Sequence, residues 1–322
     1  MITTLTAHPS VDLTVTLAGR LERGAVLRAD RADAQAGGKG INISRAAAAA
    51  GGPTLAIFPA DADDPFVHEL VAAGVPAQAV GPAGAIRTNV TISEADGTTT
   101  KVNSTAGPAS HELLTALEQA LLTAAARAEW VVLAGSLPPG TPDDWYAGLA
   151  AGLGRTPARI AVDTSDEPLR ILVDRLTPGS APHLLKPNAQ ELASLTGHEA
   201  ADLEDDPAVA ARAARELLDR GVDTVLVTLG GAGAVLVTEA GTWHATPPPT
   251  TVVSTVGAGD SSLFGYLLGD LRQLAPEQRL ALAVAYGSAA AELPGTTIPT
   301  PSQVHPELVS VRSLDPTEGA LR

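Results

Sequence analysis

Apolar residues along the chain follow two alternating periods. Short apolar runs have the length of buried strands, and the longer stretches between them repeat apolar residues every three or four positions, as amphipathic helices do. The predicted strands of this pattern are 2–7, 54–60, 129–135, 158–164, 183–188 and 224–230, and a hairpin is predicted over 233–246. The predicted helices are 39–50, 64–75, 111–128, 143–153, 189–197, 207–221, 258–271 and 276–293. This alternation predicts an α/β fold with three layers, in which a mostly parallel sheet is covered by helices on both faces.

Two regions do not fit that layered pattern. Residues 11–36 and 86–104 alternate polar and apolar positions, and Asp96-Gly97 in the second region is a hairpin signal. We expect them to pair as a small separate β-sheet, a lid. The prediction is therefore one domain of 1–322, with a core of about 1–10, 37–85 and 105–303. The weakly patterned stretch 304–322 is predicted to be a mobile C-terminal tail.

Small, polar or charged residues follow several of the predicted strands. Since ligands bind beyond the carboxyl ends of parallel strands, these residues predict a site at that edge of the sheet. They are Asp12, Ser136, Lys186 to Asn188, Thr228 to Gly231, and Gly257 to Asp260.

The stretch TVGAGDSSLFGYLLGDL (255–271) places an aspartate directly behind Gly-Ala-Gly at a predicted helix start. Glycines let a ligand approach the backbone closely. The free amides of Ala258, Gly259 and Asp260, after the turn at Gly257, form an anion hole supported by the helix dipole. Asp260 can then act as general base toward an attacking alcohol. The alternative is that Asp260 only caps the helix, which leaves the two glycines without a purpose.

The composition of the chain limits the kinds of partner that the protein can bind. The formal net charge of −15 disfavours a nucleic-acid partner, and a chain without cysteine has neither disulfides nor cysteine-bound zinc. The N-terminus lacks the pattern of a secretion signal, and no apolar run is long enough to span a membrane. We expect a soluble, cytoplasmic protein. The chain has only three lysines, and two of them, Lys39 and Lys186, fall in motifs typical of binding sites.

Four motifs in order along the chain carry a family resemblance. They are GGKGIN (37–42), KPNAQE (186–191), TLGGAGA (228–234) and STVGAGDSS (254–262). Together they resemble the PfkB, or ribokinase-like, sugar kinases over nearly the whole chain. The resemblance implies an ATP-dependent kinase that uses Mg²⁺, with an α/β core and a small β lid, and it leaves dependence on K⁺ open. IRTNVTI (86–92) and TKVN (100–103) look like the subgroup of 1-phosphofructokinases and tagatose-6-phosphate kinases.

The resemblance also implies residue roles. Residues implied to bind the sugar phosphate are Asp12, Arg28, Gly38, Lys39, Asn42, Arg87, Asn103, Ser136 and Asp260, the last as catalytic base beside Gly257, Ala258 and Gly259. Residues implied to bind the nucleotide are Lys186, Asn188, Thr228, Gly230, Gly231, Gly233 and Ser288. Asn188 and Glu191 are implied to organise Mg²⁺ through water. Their spacing fits a helix capping box equally well, and the two roles are compatible.

The chain departs from the family pattern at three places, each of which bears on the choice of sugar. His8 stands where Asn or Thr is usual before proline, PADADDP (59–65) replaces a glycine pair, and Leu263-Phe264 is bulkier than the usual residues behind the aspartate.

The preferred activity is phosphorylation of fructose 1-phosphate at O6 to give fructose 1,6-bisphosphate. The alternatives are tagatose 6-phosphate or fructose 6-phosphate as acceptor, or a catalytically silent sugar-phosphate sensor. A dinucleotide-dependent oxidoreductase is disfavoured, since the first strand lacks a following GxGxxG. An exposed edge of the lid is a predicted homodimer surface.

Overall fold

The computed structural model describes residues 1–177 and 179–315. The strands in this part are β1 (Ile2–Thr6), β2 (Ser10–Leu17), β3 (Ala29–Gly37), β4 (Thr54–Pro59), β5 (Ala77–Val80), β6 (Arg87–Ser93), β7 (Thr99–Asn103), β8 (Trp130–Ala134), β9 (Arg159–Asp163), β10 (Leu184–Leu185), β11 (Thr224–Thr228), β12 (Ala234–Thr238), β13 (Gly241–Thr246) and β14 (Ser310–Ser313). The helices are α1 (Lys39–Ala49), α2 (Pro65–Ala72), α3 (His111–Ala125), α4 (Trp145–Leu153), α5 (Asp166–Asp174), α6 (Ala189–Thr196), α7 (Ala200–Asp205), α8 (Pro207–Asp219), α9 (Ala258–Leu271) and α10 (Pro276–Ala291).

A ten-stranded sheet forms the centre of the fold, in the order β14-β13-β12-β11-β10-β9-β8-β1-β4-β5. The seven strands β11, β10, β9, β8, β1, β4 and β5 pair in parallel. Strands β12, β13 and β14 extend the sheet beyond β11 with antiparallel pairing. Successive side chains of a strand point to opposite faces, so Val131 of β8 packs with α3 and α4 while Val132 packs with α1, α9 and α10. The ribokinase-like α/β/α layering expected from the sequence is confirmed. Within the described residues, none of the helices has the length and apolar character needed to cross a bilayer.

The two regions predicted to form a lid do form a separate four-stranded sheet. Its order is β3-β2-β6-β7, in which β2 pairs antiparallel with β3 and parallel with β6. We call it the small sheet. Strand β2 begins at Ser10, directly after the turn at His8-Pro9, so Asp12 lies within the small sheet and not at the end of the first core strand.

The C-terminal region differs from the expectation of a mobile tail. Strand β14 pairs antiparallel with β13, with Trp243 opposite Ser313, and so completes one edge of the large sheet. Val309 and Val311 pack against the core beneath this edge, which favours the pairing although the sequence pattern there is weak. Residues 316–322 of the predicted tail lie outside the described residues.

Helices α9 and α10 pack at very close range through a glycine. A Cβ built on Gly265 of α9 would lie 2.6 Å from the carbonyl oxygen of Leu282 and 2.9 Å from Cα of Ala283. Both neighbours are backbone atoms of α10, which cannot rotate away as a side chain could. The position of α9, which carries Asp260, therefore depends on this small residue.

We predict that Gly265→Ala lowers the free energy of unfolding by about 1–3 kcal/mol, because overpacking pushes the two helices apart. Gly148→Ala in α4 is the matched control, since its Cβ would have no atom within 4 Å. Alanine in an open helix interior should stabilise the protein by about 0.5–1 kcal/mol. Urea unfolding of both variants checks the prediction, and an equal effect at the two sites would contradict it.

Candidate active site

A cavity with a volume of about 730 Å³ is lined by residues of both sheets. We call it the main cavity. From the small sheet it is lined by residues of β2 and β6, and from the large sheet by residues at the carboxyl ends of β9 and β11. It brings together most residues that the sequence nominates: Asp12, Gly38, Lys39, Asn42, Arg87, Ser136, Lys186, Asn188, Thr228, Gly230, Gly231, Gly233, Gly257, Ala258, Gly259, Asp260 and Ser288.

Three nominated residues do not line the main cavity. Arg28 precedes β3 and Asn103 ends β7, and both are exposed. Since β3 and β7 are the outer strands of the small sheet, only the central strands β2 and β6 reach the cavity. Residue type and region pointed to Arg28 and Asn103, but the order of strands places them away from the site within one chain. The third nominated residue outside the cavity lining is Glu191, whose carboxylate accepts a hydrogen bond from the backbone amide of Asn188 at the start of its own helix.

Asp260 lies in the first turn of α9, where the sequence predicts it. Gly257 adopts a left-handed conformation with φ of 79° and turns the chain into the helix. The Ala258 amide, which the sequence also nominates for the anion hole, instead donates to the carbonyl oxygen of Thr255 at 3.4 Å. Among the described residues, the amides of Gly259 and Asp260 meet no acceptor, as is usual for the first amides of a helix. They are available to an anion, beside a carboxylate that is only 6% exposed. Asn42 donates a hydrogen bond of 2.8 Å from Nδ2 to Oδ2 of Asp260.

The electrostatic surroundings of Asp260 raise its pKa above that of an ordinary aspartate. Burial first, and then the negative charge of Asp163, raise the pKa of Asp260 to about 6, although Lys39, Asn42 and Lys186 act in the opposite direction. A carboxyl group with such a pKa is ionised at neutral pH and holds a proton more readily than an ordinary aspartate does. That balance suits a general base.

A buried carboxylate that the sequence reading did not nominate joins the two lysines. Asp163 ends β9, is fully buried, and lies 2.6 Å from Nζ of Lys39 and 3.1 Å from Nζ of Lys186. Although burial alone would raise the pKa of Asp163, the charges of Lys186 and Lys39 hold it below its usual range. Burial alone would lower the pKa of Lys39, but the negative charges of Asp163, Asp260 and Glu191 raise it above its usual value. The one signal in the sequence was an aspartate closing the apolar strand ARIAVDT.

The small sheet supplies a second carboxylate to the main cavity. Oδ1 of Asp12 accepts hydrogen bonds from Ser10 Oγ at 2.8 Å and from Asn89 Nδ2 at 3.1 Å, and Oδ2 has no hydrogen bond within the described part of the chain. Gly37 on β3 makes room for it, since a Cβ at Gly37 would clash with this carboxylate. Burial raises the pKa of Asp12, partly offset by its hydrogen bonds and by Arg87. An oriented carboxylate of this kind can accept hydrogen bonds from hydroxyl groups of a ligand.

The opposite end of the main cavity is lined by backbone. The turn at Gly230–Ala232 follows β11 and is closed by hydrogen bonds of the Leu229 and Gly233 amides. Gly233 has φ of 96°, and a Cβ there would clash with the carbonyl oxygen of Ala245. Gly230, Gly231 and Gly233 add no side chains to the cavity lining, so a ligand could lie against the main chain of this turn.

Asn188 and Glu191 form the capping box that their spacing allows. Asn188 Oδ1 accepts from the Glu191 amide, and Glu191 Oε2 accepts from the Asn188 amide, both at 2.8 Å. Burial raises the pKa of Glu191. The described residues contain no cluster of three or more acidic, histidine or cysteine side chains able to hold a metal ion by themselves. A divalent ion here would need oxygen ligands from a bound phosphate or from water.

Comparisons with known proteins agree with this arrangement. The sequence profile described as "pfkB family carbohydrate kinase" matches residues 6–303. The 1-phosphofructokinase of Xanthomonas campestris is 35% identical over 87% of this chain and 88% of its own length. The ATP-dependent 6-phosphofructokinase isozyme 2 of Mycobacterium tuberculosis is 33% identical over 92% of this chain and 85% of its own. Phosphofructokinase-2 of Escherichia coli, solved with substrates and products, superposes with a TM-score of 0.85 at 30% identity, covering 95% of this chain and 99% of that one. This chain belongs to the pfkB family of carbohydrate kinases.

Proposed function

We propose that this ATP-dependent sugar kinase phosphorylates fructose 1-phosphate at its 6-hydroxyl and produces fructose 1,6-bisphosphate. The observation that carries the proposal is the buried Asp260 beside two unpaired amides at the start of α9, with Lys186 and Lys39 in the same cavity. A base, an anion hole and two cations are the groups that phosphoryl transfer from ATP to an alcohol requires.

The proposed reaction assigns one task to each group. The acceptor hydroxyl loses its proton to Asp260 as its oxygen forms a bond to the γ-phosphorus of ATP. The bond from that phosphorus to the bridging oxygen breaks, and ADP leaves with the electron pair. The amides of Gly259 and Asp260 face the transferred phosphoryl group and stabilise the charge on its oxygens. Lys186 and Lys39, already held by Asp163, add positive charge without needing to move.

The space around α9 fits a phosphate chain. A Cβ at Gly259 would lie 3.5 Å from Nζ of Lys186, so the glycine keeps open the gap between the anion hole and the cation. ATP would extend from this gap toward the turn at Gly230–Ala232. Mg²⁺, when bound, neutralises charge on the phosphates. Asn188 and Glu191 would orient its water ligands at the edge of the site. A phosphofructokinase-2 from Escherichia coli has been solved with potassium, and K⁺ is part of this proposal.

Fructose 1-phosphate is preferred as acceptor on two grounds. The segments 86–92 and 100–103 resemble the 1-phosphofructokinase subgroup, and several relatives at 29–35% identity carry that name. Arg87 and Asp12 lie on the small-sheet side of the main cavity, where a phosphate and sugar hydroxyls could be bound separately. Fructose 6-phosphate and tagatose 6-phosphate, phosphorylated at O1, are the alternatives.

The proposal extends to assembly and location. The outer strands β3 and β7 of the small sheet are edges, and Val26 and Val102 nearby are exposed, 99% and 54% respectively. An open strand edge with exposed apolar residues is a pairing surface, and a solved phosphofructokinase-2 is described as a tetramer in its inhibited form. We propose a homodimer contact at one of these two edges. Use of ATP as donor places the enzyme in the cytoplasm.

Replacing the base should abolish most turnover while leaving nucleotide binding intact. We expect Asp260→Asn to lower kcat by about 10²–10⁴-fold, the usual contribution of a positioned base. Steady-state assay of ADP release and calorimetric titration with ATP measure the two effects. Asp174→Asn on the exposed face of α5 is the control and should behave as wild type. Near-normal turnover of Asp260→Asn would remove the general base from the proposal.

The same substitution should stabilise the protein at neutral pH. The pKa of Asp260 is raised from 3.8 to about 6 in the folded state, so its contribution to stability is complete below about pH 4 and is lost as pH rises through 6. Asp260→Asn removes the cost of a buried charge and should gain about 1–3 kcal/mol above pH 6. Urea midpoints of wild type and variant at pH 5 and pH 8 test this. A gain that is equal at both pH values contradicts the prediction.

The choice of acceptor can be tested directly. Purified protein with MgATP is given fructose 1-phosphate, fructose 6-phosphate, tagatose 6-phosphate or fructose, and ADP release is followed. We expect kcat/KM for fructose 1-phosphate to exceed the others by roughly tenfold or more, since contacts to a misplaced phosphate are lost. Equal or better use of tagatose 6-phosphate would overturn the named substrate. Binding of a sugar phosphate without ADP release would favour the silent sensor.

A further inference from the structure

A second, smaller cavity of about 70 Å³ lies beside the main cavity, and His8 and Arg87 line both. The rest of its wall is mostly small and apolar, from Pro9, Pro59 and the segments 83–86 and 106–109. His8 and Arg87 therefore form a shared wall on the small-sheet side of the main cavity. In the smaller cavity, these two residues are the polar part of an otherwise apolar lining.

Two nitrogen atoms of the shared wall have no hydrogen-bond partner among the described residues. They are Nε2 of His8 and Nε of Arg87, and both are buried. Buried polar groups in proteins are nearly always paired, because an unpaired one loses its bonds to water without replacement. Because these two atoms lie on neighbouring residues that line a ligand cavity, a bound ligand or a water molecule would have to supply their partner.

The other contacts of these residues allow both nitrogens to be donors. Nδ1 of His8 lies 3.3 Å from Oγ of Ser136. We take the serine hydroxyl as the donor of this bond, which places the imidazole proton on Nε2. The guanidinium of Arg87 contacts the His8 carbonyl oxygen and Asn89 Oδ1, each at 3.4 Å, and leaves Nε–H free.

The charge of the pair also suits one class of ligand. Burial, and then the positive charge of Arg87, lower the pKa of His8 to about 4. His8 is thus neutral at neutral pH and does not repel Arg87. The wall offers one fixed positive charge and two N–H donors, which matches a group that is anionic and can only accept hydrogen bonds. Phosphate oxygens have that character.

We propose that His8 is a specificity-determining residue, whose Nε2–H donates a hydrogen bond to the phosphate already carried by the acceptor sugar, beside Nε–H of Arg87. The inference rests on the proposed function, because it requires a phosphorylated acceptor. It assigns a purpose to the histidine at the position where the family pattern has Asn or Thr.

Two amide variants separate the two ring nitrogens. The amide nitrogen of Gln in His8→Gln reaches the position of Nε2, whereas that of Asn in His8→Asn reaches only the position of Nδ1. We expect His8→Asn to raise the Kd for the preferred sugar phosphate about tenfold, the loss expected for one hydrogen bond to a charged group. His8→Gln should stay within about threefold of wild type. Calorimetric titration without nucleotide measures both Kd values, so the result does not depend on turnover.

A second measurement excludes a merely structural effect. In His8→Asn, kcat/KM for unphosphorylated fructose and KM for ATP should change less than about threefold, because neither involves the acceptor phosphate. His68→Asn, which replaces an exposed histidine of α2, is the matched control and should bind sugar phosphate as wild type does.

Three outcomes would overturn the inference. One is a wild-type Kd in His8→Asn, and another is an equal loss with fructose and with the sugar phosphate. In either case the wild type still binds and phosphorylates its acceptor, so the proposed function stands. The third is a wild-type protein that binds no sugar phosphate at all, which overturns the proposed function together with this inference.

Discussion

The buried carboxylate of Asp163 is the charge around which the site is assembled. Lys39 begins α1 and Lys186 follows β10, and both ammonium groups reach the carboxylate at the end of β9. Burying these charges separately would be prohibitively costly, whereas burying them together is tolerated. The three elements are far apart in the sequence and meet only when the parallel sheet has formed. Assembly of the large sheet and assembly of the cationic site are therefore the same event.

Helix α9 is fixed at both of its ends, which gives the anion hole a defined position. At the first turn Asn42 bonds Asp260. At the last turn the buried Asp270 accepts a hydrogen bond of 2.9 Å from Trp130 Nε1 and pairs with Arg159 and Arg279. Between the ends, the helix packs closely on α10. Preorganised donors stabilise a transition state because they need not reorient during the reaction, and a helix held in this way provides them.

The features that could be predicted from sequence are those that local patterns specify. Strand and helix periods predict the α/β layers and the small sheet, and the turn before α9 follows from Gly257, whose left-handed conformation other residues avoid. Asp163 could not be predicted in the same way, since an aspartate at a strand end acquires its role only from two distant lysines. Strand β14 was missed because its pairing with β13 supplies the stability that its own sequence does not indicate. Helix α5 was missed because it is short and contains Pro168, although the acidic residues of its first turn favour a helix start.

The two halves of the main cavity rest on different sheets, and in the proposed function the large-sheet side carries the chemistry while the small-sheet side binds the acceptor. Asp260, Lys186 and the nucleotide turn belong to the large-sheet layers, whereas Asp12 and Arg87 stand on the central strands of the small sheet. Substitutions on the small sheet, or in the short connection at His8 that leads into it, can change which phosphorylated sugar is bound without moving the base. Relatives named for different phosphofructokinase activities show comparable identity to this chain, 33–35%. That similarity is expected if one phosphoryl-transfer apparatus is retained while the acceptor wall varies. Arg28 and Asn103 lie on the outer strands or beside them, so the proposed acceptor side of the cavity within one chain is formed by β2, β6 and His8, which lies just before β2.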